Sequence, residues 1–584
     1  MIQILSTEAT GFRAFGWVQD PSNLRSLCDV VAVFDCNSTV HSHLKATIQR
    51  LVADADGKDR LLEALDQRPL SLKYSDLVGT SFAPRSASRC NGIVQAAVKG
   101  QVREFIGDWP ADNFVRWAHA FGFISYNYTE DTFSITEAGL QLSHAATGSG
   151  DLNESEYDLM LEAALSYPPA VRILKLLAQD NAHLTKFELG KQLGFTGEDG
   201  FTSLPQSVLV RALAATAEPR ERNKMKADWD GSSDKYARMI AKWLVKLGLV
   251  EQVPKTVCVA IGDNTYEETI GQAYLITAAG IAALKRTRGR SRHRRIPKNV
   301  CYEMLATKGS DREYLRTRRT YLLKAINERS PITLEALRIY LQSVGLETPI
   351  DAIADDVRGL INIGIDIELR HDTCFFRDEL RDFILPLPRA LTRSNISQIK
   401  DSLRPQLTHI SHEYLCLVDL AYDSAQNRLF EMKVMELLTE ECGFMGTHLG
   451  GSRKPDGIAY LPEAFGIIVD TKAYSGGYNL PISQADEMER YVRENQTRDP
   501  NVNPNTWWEH FPAELSQFHF LFISGHFIGN FEAQLNRISL STGVTGGALS
   551  VCTLLRLANA IKAGQLLPQA LCAMLFQNTE YTFN

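Results

Sequence analysis

A helix ending at a glycine, an apolar strand, a polar turn and a second strand recur three times in this chain. That repeat constrains the fold more than any other feature. The first copy runs Asn113-Phe-Val-Arg-Trp-Ala-His-Ala-Phe, Gly122-Phe-Ile-Ser-Tyr, a Thr129-Glu-Asp turn and Thr132-Phe-Ser-Ile, and leads through Thr136-Glu-Ala-Gly139-Leu into a further helix. The second starts at Ser232-Ser-Asp-Lys-Tyr-Ala-Arg-Met-Ile, passes Gly248-Leu-Val-Glu-Gln-Val and a turn near Gly262-Asp-Asn, and closes on Tyr274-Leu-Ile-Thr277-Ala-Ala-Gly280. The third is Asp355-Asp-Val-Arg-Gly-Leu-Ile-Asn-Ile, Gly364-Ile-Asp-Ile-Glu-Leu, an Arg370-His-Asp turn and Thr373-Cys-Phe-Phe. Each glycine fits the position just past a helix, where a left-handed backbone costs least without a Cβ. Ser232 or Ser233 is expected to cap the second helix.

A helix followed by a hairpin is the tail of a winged helix-turn-helix unit. Such a unit can place one helix in a DNA major groove and lay its wing on the backbone. It can equally be structural, and three copies in one chain tilt the reading toward DNA. Net charge does not advertise this, because 62 Lys and Arg stand against 69 Asp and Glu. The charge is segregated, however. Lys285-Arg-Thr-Arg-Gly-Arg-Ser-Arg-His-Arg-Arg-Ile-Pro-Lys298 holds eight cations and no acid. It reads either as a phosphate-contacting segment or as a solvated linker.

Prolines and polar residues at Pro386-Leu-Pro-Arg-Ala-Leu-Thr-Arg-Ser-Asn mark a second boundary. Beyond it, helical periodicity covers 415–422 and 428–438, and buried strands read at Ala464-Phe-Gly-Ile-Ile-Val-Asp470 and Phe518-His-Phe-Leu-Phe-Ile-Ser524. The expected organisation is multidomain α+β. Winged-helix units occupy 1–150, 151–290 and 291–385, a linker 386–395, and an α/β domain with a mixed central sheet 396–584. With 44% apolar and 22% charged residues the chain can build such cores, and wholesale disorder is excluded. The ten cysteines form no CxxC pair, which fits a reducing cytoplasm. No apolar run is long enough to cross a membrane, and the start does not read as a signal peptide.

The tail carries the chemistry. A loop, Gly450-Gly-Ser-Arg-Lys-Pro-Asp456-Gly, is followed by Asp470-Thr-Lys472 at the end of an apolar strand. Period two puts Asp470 and Lys472 on one face, with Thr471 on the other but able to offer its carbonyl. Two converging carboxylates make a hard oxygen site suited to Mg²⁺, held by Asp456, Asp470 and Thr471. Such a metal polarises a phosphodiester and activates water, and Lys472 beside it can orient that water or offset developing charge. The bland alternative is a solvated salt bridge at a strand end. The unbroken apolar run from Ala464 to Val469 argues instead for a cleft at the end of a buried strand.

With winged helices in front and this constellation behind, the chain resembles the FokI-type type IIS restriction endonucleases over nearly its whole length. The residues that carry the resemblance in the tail are His448-Leu-Gly-Gly-Ser-Arg-Lys-Pro-Asp-Gly457, Val469-Asp-Thr-Lys-Ala-Tyr-Ser-Gly-Gly-Tyr-Asn-Leu-Pro-Ile482 and Gln484-Ala-Asp-Glu-Met. In front they are Tyr167-Pro-Pro-Ala, Gly200-Phe-Thr-Ser-Leu-Pro205, Gly231-Ser-Ser-Asp-Lys-Tyr-Ala-Arg-Met-Ile240, Glu303-Met-Leu-Ala-Thr307 and Arg316-Thr-Arg-Arg319.

The resemblance implies a front half that binds a short asymmetric duplex site and a Mg²⁺-dependent C-terminal nuclease that cuts both strands at a fixed distance outside it. It places Asp456, Asp470 and Lys472 in the catalytic positions. It puts Asp486 and Arg490 on a face where two nuclease domains pair transiently, and it implies a nuclease held back until the site is bound. Gln19, Arg85, Trp109, Asp230, Lys235 and Arg238 fall on site-reading positions. Arg238 and Lys235 suit guanine O6 and N7, and Asp230 a cytosine amine. A cognate DNA methyltransferase and a bacterial cytoplasmic setting follow. The chain departs from the family at Asp20, at Ala227-Asp228-Trp229-Asp230 and at Lys99. These departures bear on the exact target, for which the family's GGATG is the expectation. The alternatives are a non-catalytic winged-helix regulator and a nonspecific or structure-specific nuclease.

Overall fold

The computed structural model describes residues 2–583 except 7–16, 18–22, 80–88, 147–149, 217, 228, 262–263, 289–294, 308 and 388–392. Gln19, Arg85, much of the basic run and half of the expected linker lie outside the described residues.

The three repeats fold as three copies of one unit. The first has helix α1 (Asp108–Ala120) and strands β1 (Leu72–Lys73), β2 (Ile124–Asn127) and β3 (Thr132–Ile135). The second has helices α2 (Gln206–Ala214), α3 (Pro219–Ala227) and α4 (Ser232–Lys246) and strands β4 (Leu184–Thr185), β5 (Val250–Gln252) and β8 (Ala273–Ile276). A long ribbon, β6 (Lys255–Ile261) with β7 (Asn264–Ile270), is inserted between β5 and β8. The third has α5 (Ile350–Asn362) and β9 (Ile332–Thr333), β10 (Ile367–Arg370) and β11 (Thr373–Phe376). In each small sheet the last strand lies in the middle, antiparallel to both neighbours.

The glycine reading holds at all three positions. Gly122, Gly248 and Gly364 have φ of 76°, 68° and 110°. The residue after each glycine donates its amide back across the last turn: Phe123 to Ala118, Leu249 to Leu244 and Ile365 to Leu360. That is the helix-ending motif a left-handed glycine permits. The cap of α4 differs from expectation. Gly231 is the capping residue and no side chain caps it, because Ser233 is buried and donates to the Gly190 carbonyl at 2.5 Å. Thr136 and Thr277 do cap the helices that follow their hairpins.

These units are not beads on a string. One apolar core runs through all three, with Trp117 of α1 against Trp243 of α4 at a ring separation of 4.4 Å. A fully buried trio seals the third unit to the second. Arg318 and Arg319 both hold Asp356, at 2.6 and 2.8 Å, and Arg319 also pairs with Glu198. Lys298, at the end of the basic run, is buried rather than solvated, so that end of the run is neither linker nor phosphate contact. Burial pulls its ammonium down to about 8.

The C-terminal part has a six-stranded mixed sheet in the order β12 (Met445–His448), β13 (Gly457–Leu461), β14 (Phe465–Lys472), β15 (Phe518–Ser524), β16 (Gly546–Ser550) and β17 (Glu580–Tyr581). The first three strands are antiparallel and the rest parallel. Helix α6 (Asn427–Glu436) packs on one face. Helix α7 (Ile482–Thr497) connects β14 to β15, and α8 (Phe531–Thr542) packs beside α7 on the way to β16. Apolar residues cover both faces of the sheet, and one of those cores continues into Leu204, Val208, Leu209, Leu213 and Trp229 of the second unit. The C-terminal domain is therefore docked on that unit through shared apolar surface. Arg211–Glu440 at 3.1 Å, Lys191–Glu413 at 3.0 Å and Lys454–Glu221 at 3.2 Å lie around the contact.

Candidate functional site

Strand β14 delivers Asp470 and Lys472 to the carboxyl end of the parallel strands, an edge where open α/β sheets commonly hold ligands. Period two holds, and Lys472 pairs with Asp470 on the same side. Asp456 arrives from the turn before β13. Its own carbonyl takes the amides of Leu449 and Gly450, at 2.8 and 3.2 Å, which ties the loop back on itself. Left-handed Gly450, Gly451 and Arg453 make the loop tight enough for this. Thr471 holds the Asp456 carboxylate, its amide donating at 2.7 Å and its hydroxyl at 3.1 Å. The carbonyl role expected for Thr471 is thus joined by a positioning one.

Asp470 is buried, and Asp456 lies half-buried beside it. Burial raises the Asp456 carboxyl well above the ordinary range, and the Asp470 charge adds to it. Asp470 is raised for the same first reason, with Lys472 opposing. Lys472 itself is disfavoured as a cation by burial, yet the two aspartates outweigh this and hold it above its usual value. A pair of largely desolvated acids served by one cation is short of positive charge, and its oxygens are hard donors. The donor set therefore fits a divalent ion such as Mg²⁺.

Two groups near this centre were not singled out from sequence. Glu431 on α6 lies 2.8 Å from buried His448, and its charge helps raise Asp456. Glu487 on α7 acts on Asp470 and Lys472. An acid among apolar residues of α6 was the available signal for the first. Glu487 carried none, because nothing in the sequence says which side of α7 meets β14.

The front residues are placed as follows. Asp230 sits just before α4 and Arg238 two turns into it, and the two pair at 2.7 Å. Asp230 also pairs with buried Lys186 at 2.7 Å, a partner the sequence did not reveal. Lys235 is half-buried and lines a cleft of about 370 Å³ against Gln426, Arg428 and Leu429 of the C-terminal domain. Trp109 is 50% exposed at the start of α1, so it is not a core residue. Asp486 and Arg490 share α7 but do not pair with each other. Asp486 pairs with Arg537 of α8 at 2.6 Å, and Arg490 with Glu487 at 3.2 Å.

This architecture has known counterparts. Residues 13–145 match the FokI recognition domain subdomain 1, 156–292 its subdomain 2, 305–372 the FokI D3 domain and 393–582 the FokI cleavage domain. The chain belongs to the FokI family. It is a type II restriction endonuclease, a site-specific deoxyribonuclease with recognition subdomains followed by a cleavage domain. It is 45% identical over 564 residues to the type II restriction enzyme FokI of Planomicrobium okeanokoites, covering 95% of this chain and 96% of that one. It is 36% identical over 571 residues to the type II restriction enzyme StsI of Streptococcus sanguinis, covering 95% and 93%. The structure of FokI bound to DNA superposes with a TM-score of 0.92 at 44% identity, over 98% of this chain and all of that one. A second structure of the restriction endonuclease FokI gives 0.89 at 45% identity, over the same shares. FokI-family members are restriction endonucleases, enzymes that generally use divalent metal ions. Among the described residues no helix is long and apolar enough to cross a membrane.

Proposed function

We propose that this endonuclease binds a short asymmetric duplex site, GGATG by family resemblance, and cuts both strands at a fixed distance outside it. The observation that carries the chemistry is buried Asp470 with half-buried Asp456 beside it and Lys472 on the same strand end. Asp456, Asp470 and the Thr471 carbonyl would hold Mg²⁺, which when bound polarises the scissile phosphodiester and stabilises the leaving 3′-oxygen. Thr471 keeps Asp456 aimed by its amide and hydroxyl. Lys472 stays charged between two carboxylates, so it donates hydrogen bonds and orients the attacking water rather than taking its proton.

Gln19, Arg85, Trp109, Asp230, Lys235 and Arg238 read the site. Exposed Trp109 and the start of α4 are suited to that work. The Asp230–Arg238 pair keeps both side chains ordered before DNA arrives. The docked nuclease is the held-back state. On site binding it is released, and it pairs with a second copy through α7, using Asp486 and Arg490. A cognate methyltransferase protects host DNA in the bacterial cytoplasm.

The test is digestion of unmethylated phage DNA with Mg²⁺ and sequencing of the fragment ends. One motif at a constant distance from every end is expected. Random ends would replace this reading with a nonspecific nuclease, and site-specific binding with no cutting would leave a DNA-binding regulator.

A further inference from the structure

Tyr491 of α7 is almost fully buried, and its hydroxyl faces two acceptors. One is the backbone carbonyl of Lys454, at 2.7 Å, in the loop that carries Asp456. The other is Oε1 of Glu487, at 3.0 Å. A tyrosine hydroxyl has a single proton, so it serves one acceptor well at a time. Arg490 holds the same Oε1 of Glu487 at 3.2 Å and lies over the Tyr491 ring, 4.9 Å from its centre. Its side chain is 38% exposed on the face where that of Asp486 is 58% exposed. A continuous polar path thus runs from the outer face of α7 to the catalytic loop: Arg490, Glu487, Tyr491, Lys454, with Asp456 two residues further along the chain.

We propose that this path is a relay by which nuclease pairing sets the catalytic loop, with Glu487 and Tyr491 as positioning residues. The proposal rests on the pairing reading given above. In a single copy Arg490 neutralises Glu487, so the tyrosine proton goes to the Lys454 carbonyl and the loop is anchored. When a carboxylate of a second copy takes Arg490, Glu487 keeps its charge but loses its cation, and one of its oxygens is freed. Hydrogen bonds to charged acceptors are about twice as strong as those to neutral ones, so the tyrosine proton moves to Glu487. The Lys454 carbonyl is then released and the loop closes around the substrate phosphate. The relay is a two-state element biased by a partner's charge, which is what a coupling between two sites requires.

The two positioning residues predict opposite effects, which a merely structural role would not produce. Tyr491→Phe removes the anchor. It should raise single-strand nicking by unpaired enzyme, at concentrations too low for pairing, by about fivefold or more. Glu487→Gln removes the charge that draws the proton. It should slow cutting at saturating enzyme by about tenfold while the Lys454 carbonyl stays anchored. Specific DNA binding should be unchanged in both full-length variants. Pairing on DNA is read separately by sedimentation in an Asp470→Ala background, in which no bond is cut. If the chain without either variant does not pair there, the pairing reading falls and the relay with it. If it pairs, but both variants are slowed or both cut as before, the relay alone is overturned.

Discussion

Asp470 has two neighbours of opposite sign, Lys472 and Asp456, and that balance decides what the residue can do. On the proposed reading, removing either aspartate takes away one of two hard donors for the metal. Asp456→Ala or Asp470→Ala should therefore abolish cleavage in a plasmid-digestion assay while a gel-shift assay shows site binding nearly intact. A variant that cuts at the original rate would sink the metal-holding role. At the other end of the molecule Arg238 faces Asp230 at 2.7 Å. Arg238→Ala should cost about 1–3 kcal/mol of discrimination between the site and random DNA. Equal loss on both DNAs, measured by competition binding, would make Arg238 a phosphate contact instead.

At the scale of elements, the three helix-ending glycines share a conformation but not a setting. A Cβ on Gly364 would lie 1.9 Å from the carbonyl oxygen of Pro168, whereas one on Gly248 would meet nothing within 4 Å. Gly248→Ala should therefore cost only the left-handed penalty, about 1–2 kcal/mol. Gly364→Ala should cost clearly more, because backbone has to move. Denaturant unfolding of the two variants checks the order, and equal losses would show that Pro168 yields freely. The same repeat thus serves as a free turn in one unit and as a packing surface in another.

Across the whole molecule, charges hold parts together that the sequence keeps far apart. Asp356 is buried between Arg318 and Arg319. Burial alone would raise its carboxyl, but the two guanidinium groups outweigh this and hold it below its ordinary value. A folded value below the unfolded one contributes stability that is present above the unfolded value and lost as pH falls through the folded one. Asp356→Ala should cost about 3–5 kcal/mol at neutral pH, by stranding buried Arg318 and leaving Arg319 with Glu198 alone. It should also flatten the acid limb of the stability curve below about pH 4, near the ordinary aspartate value. An unchanged acid limb in thermal melts would show that other carboxylates set it. On the outer face, Asp486→Ala should slow double-strand cutting most at low enzyme concentration, with the deficit closing as concentration rises. A deficit independent of concentration would argue against a pairing role.

Local physics made much of this readable before any fold was known. A left-handed position just past a helix calls for glycine, so three such glycines before apolar strands announced three related units. A strand alternates its faces, so the spacing of Asp470 and Lys472 put both at one site. Composition and period carry no such information about contacts across long stretches of chain. That α1 meets α4 through two tryptophans, that the three units share one core, and that the nuclease sits on α2 and Trp229 all depend on which apolar faces find each other. The same limit hid Lys186 behind Asp230 and Glu487 beside Asp470. It also made Lys298 read as part of a linker or phosphate contact when it is buried. Sequence determined the repeating unit and the shared face of Asp470 and Lys472 on one strand of the C-terminal sheet. The partners of each charge were decided only by tertiary packing, because a side chain's neighbours across the core are set by the surfaces it is pressed against and not by its place in the chain.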